Sequence, residues 1–163
     1  MTKVTFSAYM DYDETESLAR VMLEEEVPLN ISLLQGSDMD LREGEPCEVS
    51  LWTNDYEISV YDSEEEYSRE EPNFASLSMI PMGTFLPGPE QNDTRQSAAI
   101  LFSGIVREAE RNPDPQEGAP NWRLAVETYG MEFDLFSYEE EAPAPGCILH
   151  GHAWIYGRLK RAK

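Results

Sequence analysis

The sequence predicts a mainly β fold, in which an acidic β-rich region with one short helix precedes a small, strongly curved barrel. Apolar and polar residues alternate along most of the chain, and this period of two is typical of half-buried strands. Glycine and proline interrupt the alternation at short intervals, as turns do. The chain has 163 residues, 40% of them hydrophobic, which suits about one domain with its own core.

The charge excludes several classes of partner. Lys and Arg number 12 against 32 Asp and Glu, giving a net charge of −20. Nucleic-acid binding depends largely on cationic side chains that neutralise phosphates, and anionic membrane surfaces attract the same side chains. We therefore expect neither nucleic acid nor membrane as a partner.

The N-terminal sequence lacks the basic start and the apolar stretch of a secretory signal. The two cysteines, Cys47 and Cys147, lie in predicted strands, where small, buried, reduced thiols are common. These features predict a cytoplasmic protein.

Charge divides the chain unevenly. Residues 1–93 contain 4 basic and 22 acidic side chains, whereas residues 94–163 contain 8 and 10. A stretch rich in Pro, Gly and Asn at 85–93 reads as a loop. We therefore predict an acidic β-rich region over 1–86, a linker over 87–97 and a barrel region over 98–163. A single integrated domain with two unlike faces fits the same pattern.

The first predicted element is a short helix of about three turns. Asp13 and Glu16 have the spacing of a capping pair, and Leu18, Val21 and Met22 form one apolar stripe. Three glutamates and a proline follow, and the proline ends the helix.

The remaining elements of the first half read as strands. Alternation over 29–33, 47–51 and 57–61 predicts three of them, and the turn residues at 54–55 predict a hairpin between the last two. The acidic segment 62–71 has room for one or two helical turns. Residues 75–85 resemble an edge or bulged strand, because Pro81 and Gly83 interrupt them.

The second half shows the clearest alternation. It predicts strands over 100–106, extending to 110, over 122–127, over 131–135 and over 147–159. Gly104 lies inside the first strand, and Gly151 and Gly157 lie inside the last. Glycine relieves crowding where a strand bends sharply. This pattern predicts a partly open, five-stranded OB-type barrel, whose fifth strand or cover comes from the first half.

Several segments resemble an uncharacterised family of small bacterial proteins with an OB-like C-terminal half. The resemblance covers about residues 76–160, and its motifs are SMIPMG (78–83), GIV (104–106), WRLAVETYG (122–130), FD (133–134), GHAW (151–154) and GRL (157–159). These are mostly glycines and apolar residues, so the resemblance implies a fold and carries over no functional residue.

A histidine pair is the sharpest candidate for chemistry. His150 and His152 lie two apart on a predicted strand, so both point to one face about 7 Å apart and could share a metal ion. Most protein metal sites need three or four ligands, and the chain has no third histidine. Ordinary sheet histidines are therefore the favoured interpretation, and no cofactor is predicted. Carboxylates on neighbouring strands that could complete a metal site are Glu108, Glu127, Glu132 and Asp134.

An aromatic row continues from this pair. His150, His152, Trp154 and Tyr156 fall on one face of the predicted last strand and form a candidate ligand or partner face. Aromatic faces of OB-type barrels stack bases or sugars, but such rows more often pack inside a protein. Internal packing is the favoured interpretation, with a neutral ligand or a basic peptide as alternatives.

Runs of glutamate form a candidate partner surface. Its residues are Glu64, Glu65, Glu66, Glu70 and Glu71. Charge of one sign keeps a protein soluble, and it also speeds the encounter with a partner of opposite charge. The less acidic second half could pair with the first half within one chain or between copies, so a homo-oligomer is a further possibility.

The sequence thus favours a non-enzymatic binding or interaction module whose acidic surface engages a basic protein. The alternative is a metal-dependent or small-ligand enzyme that uses His150 and His152. Motifs for a nucleophile elbow, a phosphate-binding loop and a C-x-x-C pair are absent from the sequence.

Overall fold

The computed structural model describes residues 2–11, 16–24, 26–71, 75–82 and 97–162. These residues form eleven strands and one helix, which confirms a mainly β protein. The strands are β1 (Thr2–Asp11), β2 (Ser17–Leu23), β3 (Val27–Leu33), β4 (Pro46–Thr53), β5 (Tyr56–Tyr61), β6 (Ser78–Ile80), β7 (Ala99–Arg111), β8 (Trp122–Thr128), β9 (Met131–Ser137), β10 (Ile148–Trp154) and β11 (Tyr156–Arg161), and the helix is α1 (Glu64–Glu70).

The chain divides into two compact units. Unit 1 comprises residues 1–51, 81–100 and 154–163, and unit 2 comprises 52–80 and 101–153. The chain therefore passes between the units four times. Each unit takes segments from both sides of the predicted linker 87–97, which lies outside the described residues except for Ser97.

Five strands close a barrel in unit 1. They follow the order β1-β2-β3-β11-β4, and β1 also pairs with β4, which completes the ring. The pairs β1–β2, β2–β3 and β1–β4 are antiparallel, whereas β3 and β11 run parallel. A closed barrel is thus present, but its expected position within 98–163 is wrong, because only β11 comes from that region. Alternation identifies strands and does not identify their partners.

The helix predicted after Asp13 is also wrong. Residues 17–23 form β2, while 12–15 lie outside the described residues. Ala19, Val21 and Leu23 are fully buried at a spacing of two, and β2 pairs along its length with β3. This two-residue period, together with the pairing, outweighs the helical spacing of Leu18, Val21 and Met22.

Two predicted strand connections differ from the structure. β4 and β5 are separate strands joined at 54–55 as expected, but β5 pairs with β10 rather than with β4. The single long strand predicted over 147–159 is wrong, because the ladder breaks at Ile155 into β10 and β11. Ile155 donates its backbone N–H to the Ala98 carbonyl at 3.0 Å.

Unit 2 contains the strands that the alternation predicts best. β7, β8 and β9 form an antiparallel meander, and the sheet continues through β10 to β5. The predicted edge strand over 75–85 is reduced to β6, which pairs with β7, and residues beyond 82 lie outside the described part. Phe102 and Phe133 pack edge to face in the core, with ring centroids 5.2 Å apart.

Gly151 allows β5 to approach β10 closely. A Cβ atom at this position would lie 2.1 Å from the Glu57 carbonyl oxygen and 2.7 Å from the Ile58 Cα. Both contacts are far shorter than atoms tolerate, and both atoms belong to backbone. The pairing of β5 with β10 therefore requires glycine here.

The helix α1 lies in the segment for which one or two helical turns are predicted. Ser63 caps it by accepting the Glu66 backbone N–H at 3.1 Å, and acidic residues fill the first turn, where the helix dipole favours them. Tyr67 is its buried residue. No helix in the described part of the chain has the length and apolar character to cross a membrane.

Both cysteines behave as predicted. Cys47 and Cys147 are buried free thiols. Burial raises the pKa of the Cys47 thiol, and the nearby Glu45 carboxylate raises it further. The Cys47 thiol is therefore part of the packing rather than a reactive group.

Candidate functional site

Three polar side chains meet inside unit 2. Nδ1 of His150 lies 2.7 Å from Oγ of Ser103 and 3.4 Å from the hydroxyl of Tyr67. The two hydroxyls are also hydrogen-bonded to each other. We call these three residues the polar cluster.

Each member comes from a different element. Ser103 lies on β7 and His150 on β10, which are neighbours in the sheet, and α1 directs Tyr67 inward. Thr128 holds β7 in place by donating its hydroxyl to the Ser103 carbonyl at 2.8 Å. Tyr61 packs edge to face on Tyr67, with ring centroids 5.2 Å apart. Burial raises the pKa of Tyr67, and the hydrogen bond with Ser103 partly counteracts this.

A serine hydroxyl within hydrogen-bond distance of an imidazole is the arrangement of a nucleophile and its base. In the polar cluster, however, Ser103 and Tyr67 are both 0% exposed, so no substrate atom reaches the hydroxyl in this conformation. The geometry instead fits a buried network in which hydroxyls and imidazole satisfy one another.

The sequence does not predict Ser103 and Tyr67 as partners of His150. The single available signal is a serine on an otherwise apolar stretch of β7, where a hydroxyl needs a hydrogen-bond partner. The identity of that partner depends on which strands become neighbours.

The structure separates the predicted row of four residues. His150 is half-buried in the polar cluster, while His152 is exposed and lies opposite Glu57 of β5. Trp154 ends β10 and Tyr156 begins β11, so one strand does not carry all four. The two histidines belong to unit 2, and the two aromatic residues belong to unit 1.

The histidine pair acquires no further metal ligands in the described residues. No group of three or more His, Cys, Asp or Glu side chains there is arranged to hold a metal ion. The carboxylate that the pairing register brings opposite His152 is Glu57, which is not among the four candidates considered from the sequence.

The predicted acidic surface splits into two groups. Glu66 accepts the Asp62 backbone N–H at 2.9 Å, and Glu71 accepts the Tyr61 hydroxyl at 3.2 Å. These two carboxylates therefore stabilise α1 and its contacts. Glu64, Glu65 and Glu70 are exposed, and the ion pairs found among the described residues include none of them.

Unit 2 carries most of the negative charge of the chain. Its segments contain 18 acidic and 4 basic side chains, which gives a net charge of −14; the whole chain carries −20. Two of the four basic residues are engaged within the unit. Arg123 bonds to Glu110 at 2.8 Å and Asp134 at 3.0 Å, and Arg107 pairs with Glu127.

A groove with a volume of about 520 Å³ lies beside β5. Its lining residues come from β5, β8, β9 and the segment after β9. Its apolar lining residues are Ile58, Val60, Leu124, Leu135, Ala142 and Pro143, and its acidic lining residues are Glu57, Glu139 and Glu141.

Comparisons with known proteins add no functional assignment. No family model matches the chain, and neither a curated protein nor a solved structure is similar to it.

Proposed function

We propose that the protein is a non-enzymatic interaction module, and that unit 2 engages a basic protein partner. The observation that carries this proposal is the charge of −14 on unit 2. The exposed Glu64, Glu65 and Glu70 of α1 contribute to it, and they form no ion pair among the described residues.

The physical reason is electrostatic complementarity. A surface of one sign attracts a partner of the other sign and speeds their encounter, and added salt screens this attraction. Solubility alone would account for an even spread of negative charge. The folded chain instead carries a net charge of −6 on unit 1 and −14 on unit 2.

We also propose that unit 1 is an OB-type barrel. The ring of five strands and the parallel contact between β3 and β11 support this assignment. If β11 is its fifth strand, the connection from the fourth to the fifth strand spans residues 54–155. OB-type barrels bind ligands through that connection, and here it contains most of unit 2.

The test is titration of the purified full-length protein with a synthetic Lys-rich peptide by calorimetry. We expect binding at about 25 mM NaCl that weakens steeply by about 250 mM. The variant with E64Q, E65Q and E70Q should bind at least about tenfold more weakly. The matched control carries D11N, E26Q and E43Q on exposed positions of unit 1 and should retain its affinity.

Two results would overturn the proposal. One is failure of the Lys-rich peptide to bind at low salt. The other is an equal loss of affinity in both triple variants, which would show that only overall charge matters.

A further inference from the structure

We infer that the groove beside β5 receives an extended segment of the basic partner, which adds to β5 as a further strand. This inference rests on the proposed function and adds the place and the form of the contact. Three observations in unit 2 support it: the edge position of β5, the apolar lining of the groove and its acidic rim.

β5 has an accessible edge. It ends the strand order of the sheet, and within the described residues its pairing partner is β10. Proteins usually protect such an edge with charged residues, proline or a bulge. β5 reads YEISVY, with a single charge, and Val60 is 48% exposed. This composition favours strand pairing.

The groove offers an apolar surface for alternate side chains of an added strand. Val60 of β5 is 48% exposed, and Ile58, Ala142 and Pro143 are partly exposed, so these four residues give the groove its accessible apolar lining. Leu124 of β8 and Leu135 of β9, which lie opposite each other in register, also line it but are each only 1% exposed. Since successive side chains of a strand point to opposite faces, an incoming strand would place every second side chain against this lining.

The acidic residues that line the groove favour a strand with basic side chains. Glu57, Glu139 and Glu141 line the groove, and none of them joins an ion pair among the described residues. Glu57 alternates with Ile58 along β5, so Lys or Arg at the intervening positions of an added strand would lie on the face that carries Glu57. The fitting segment therefore alternates apolar and basic residues over about six positions, or about 20 Å of extended chain.

Charge argues against a second copy as the occupant. Each copy carries −20 overall and −14 in the unit that holds the groove. Two such grooves repel each other, while a basic segment is attracted. The same charge disfavours a nucleic-acid strand.

The experiment compares three peptides and two variants of the full-length protein. The probe is an eight-residue peptide of alternating Lys and Val. The other two peptides have the same sequence with N-methyl groups on every second residue, one peptide for each of the two registers. V60D puts a charge into the groove. I80D is the matched control, because Ile80 is an exposed apolar strand residue of unit 2, 37% exposed, outside the groove lining.

We expect the unmodified peptide to bind at low salt and to slow hydrogen exchange of the β5 amides. V60D should weaken binding at least about tenfold, and I80D by less than about twofold. One N-methylated register should lose binding, because it lacks the N–H groups that reach β5. The exchange measurement uses the unchanged protein, so it stays decisive if V60D folds poorly.

The outcomes separate the two proposals. Salt-sensitive binding that ignores V60D and both N-methylated registers would overturn strand addition and leave the proposed function intact. Absence of binding by any Lys-containing peptide would overturn both. Sedimentation showing a dimer that V60D dissociates would identify a second copy as the occupant and overturn the inference.

Discussion

Oγ of Ser103 lies 2.7 Å from Nδ1 of His150, although the two residues are 47 positions apart in the chain. The contact joins β7 to β10, and Tyr67 of α1 completes it from a third element. One small polar cluster thus links the helix to two strands in the interior of unit 2.

Removing the Ser103 hydroxyl should destabilise the protein. Ser103→Ala removes a hydroxyl that both Tyr67 and His150 use as a hydrogen-bond partner, and each hydrogen bond lost costs about 0.5–1.5 kcal/mol. Urea unfolding measures the loss. Ser59→Ala is the control, since Ser59 is exposed on β5 opposite His150 and should change the midpoint little. Equal stability of both variants would contradict a stabilising role for the polar cluster.

Tyr67 should make stability fall at alkaline pH. Burial raises its pKa above the ordinary value of 10.0, so the folded protein holds this proton more tightly than the unfolded chain does. The stabilisation is complete below pH 10 and disappears as pH rises through the folded-state pKa. Tyr67→Phe should flatten the decline in unfolding free energy above about pH 10. A decline as steep as that of the wild type would show that other groups cause it.

Gly151→Ala should separate β5 from β10. The new Cβ would collide with the Glu57 carbonyl oxygen, and backbone at this site must move to relieve the contact. We expect a loss of about 3 kcal/mol or more in thermal or urea unfolding. Gly118→Ala is the control: its φ of +82° disfavours alanine, but no atom lies within 4 Å of the new Cβ, so about 1 kcal/mol is expected. Similar losses in both would rule out the steric explanation.

Glu45 should contribute to stability above acidic pH. The backbone N–H of Arg42 and the Arg161 guanidinium both bond to its carboxylate and lower its pKa from 4.5. The stabilisation is therefore present above that value and is lost as pH falls through the lower, folded-state pKa. Glu45→Gln should make the acid-induced loss of stability shallower below about pH 5. Glu43→Gln removes a charge two residues away and should leave the acid profile unchanged.

Local pattern predicts the strands of this protein where one face is buried. Phe102, Val126 and Phe133 lie on alternating stretches, and all three are buried on β7, β8 and β9 as expected. It fails at β2, because Leu18, Ala19 and Val21 are all buried there. A strand with two adjacent buried residues shows a mixed period that resembles a helix.

Contacts between distant segments of the chain could not be predicted from local pattern. The pairing of β5 with β10, the barrel position of β11 and the contact between Ser103 and His150 all depend on which distant segments become neighbours. The division of charge between the units has the same origin: residues 1–93 carry a net charge of −18 in the sequence, whereas in the folded chain α1 joins β8 and β9 in unit 2, which carries −14.

The place of β11 between β3 and β4 has a consequence for synthesis on the ribosome. Residues 2–53 supply four barrel strands early, yet the ring stays open until residues 156–161 have been translated. During that interval β3 and β4 present unsatisfied edges, which are prone to pairing with other chains. The segments of unit 2 all emerge before the barrel can close, so the nascent chain must complete its earliest-made structure last.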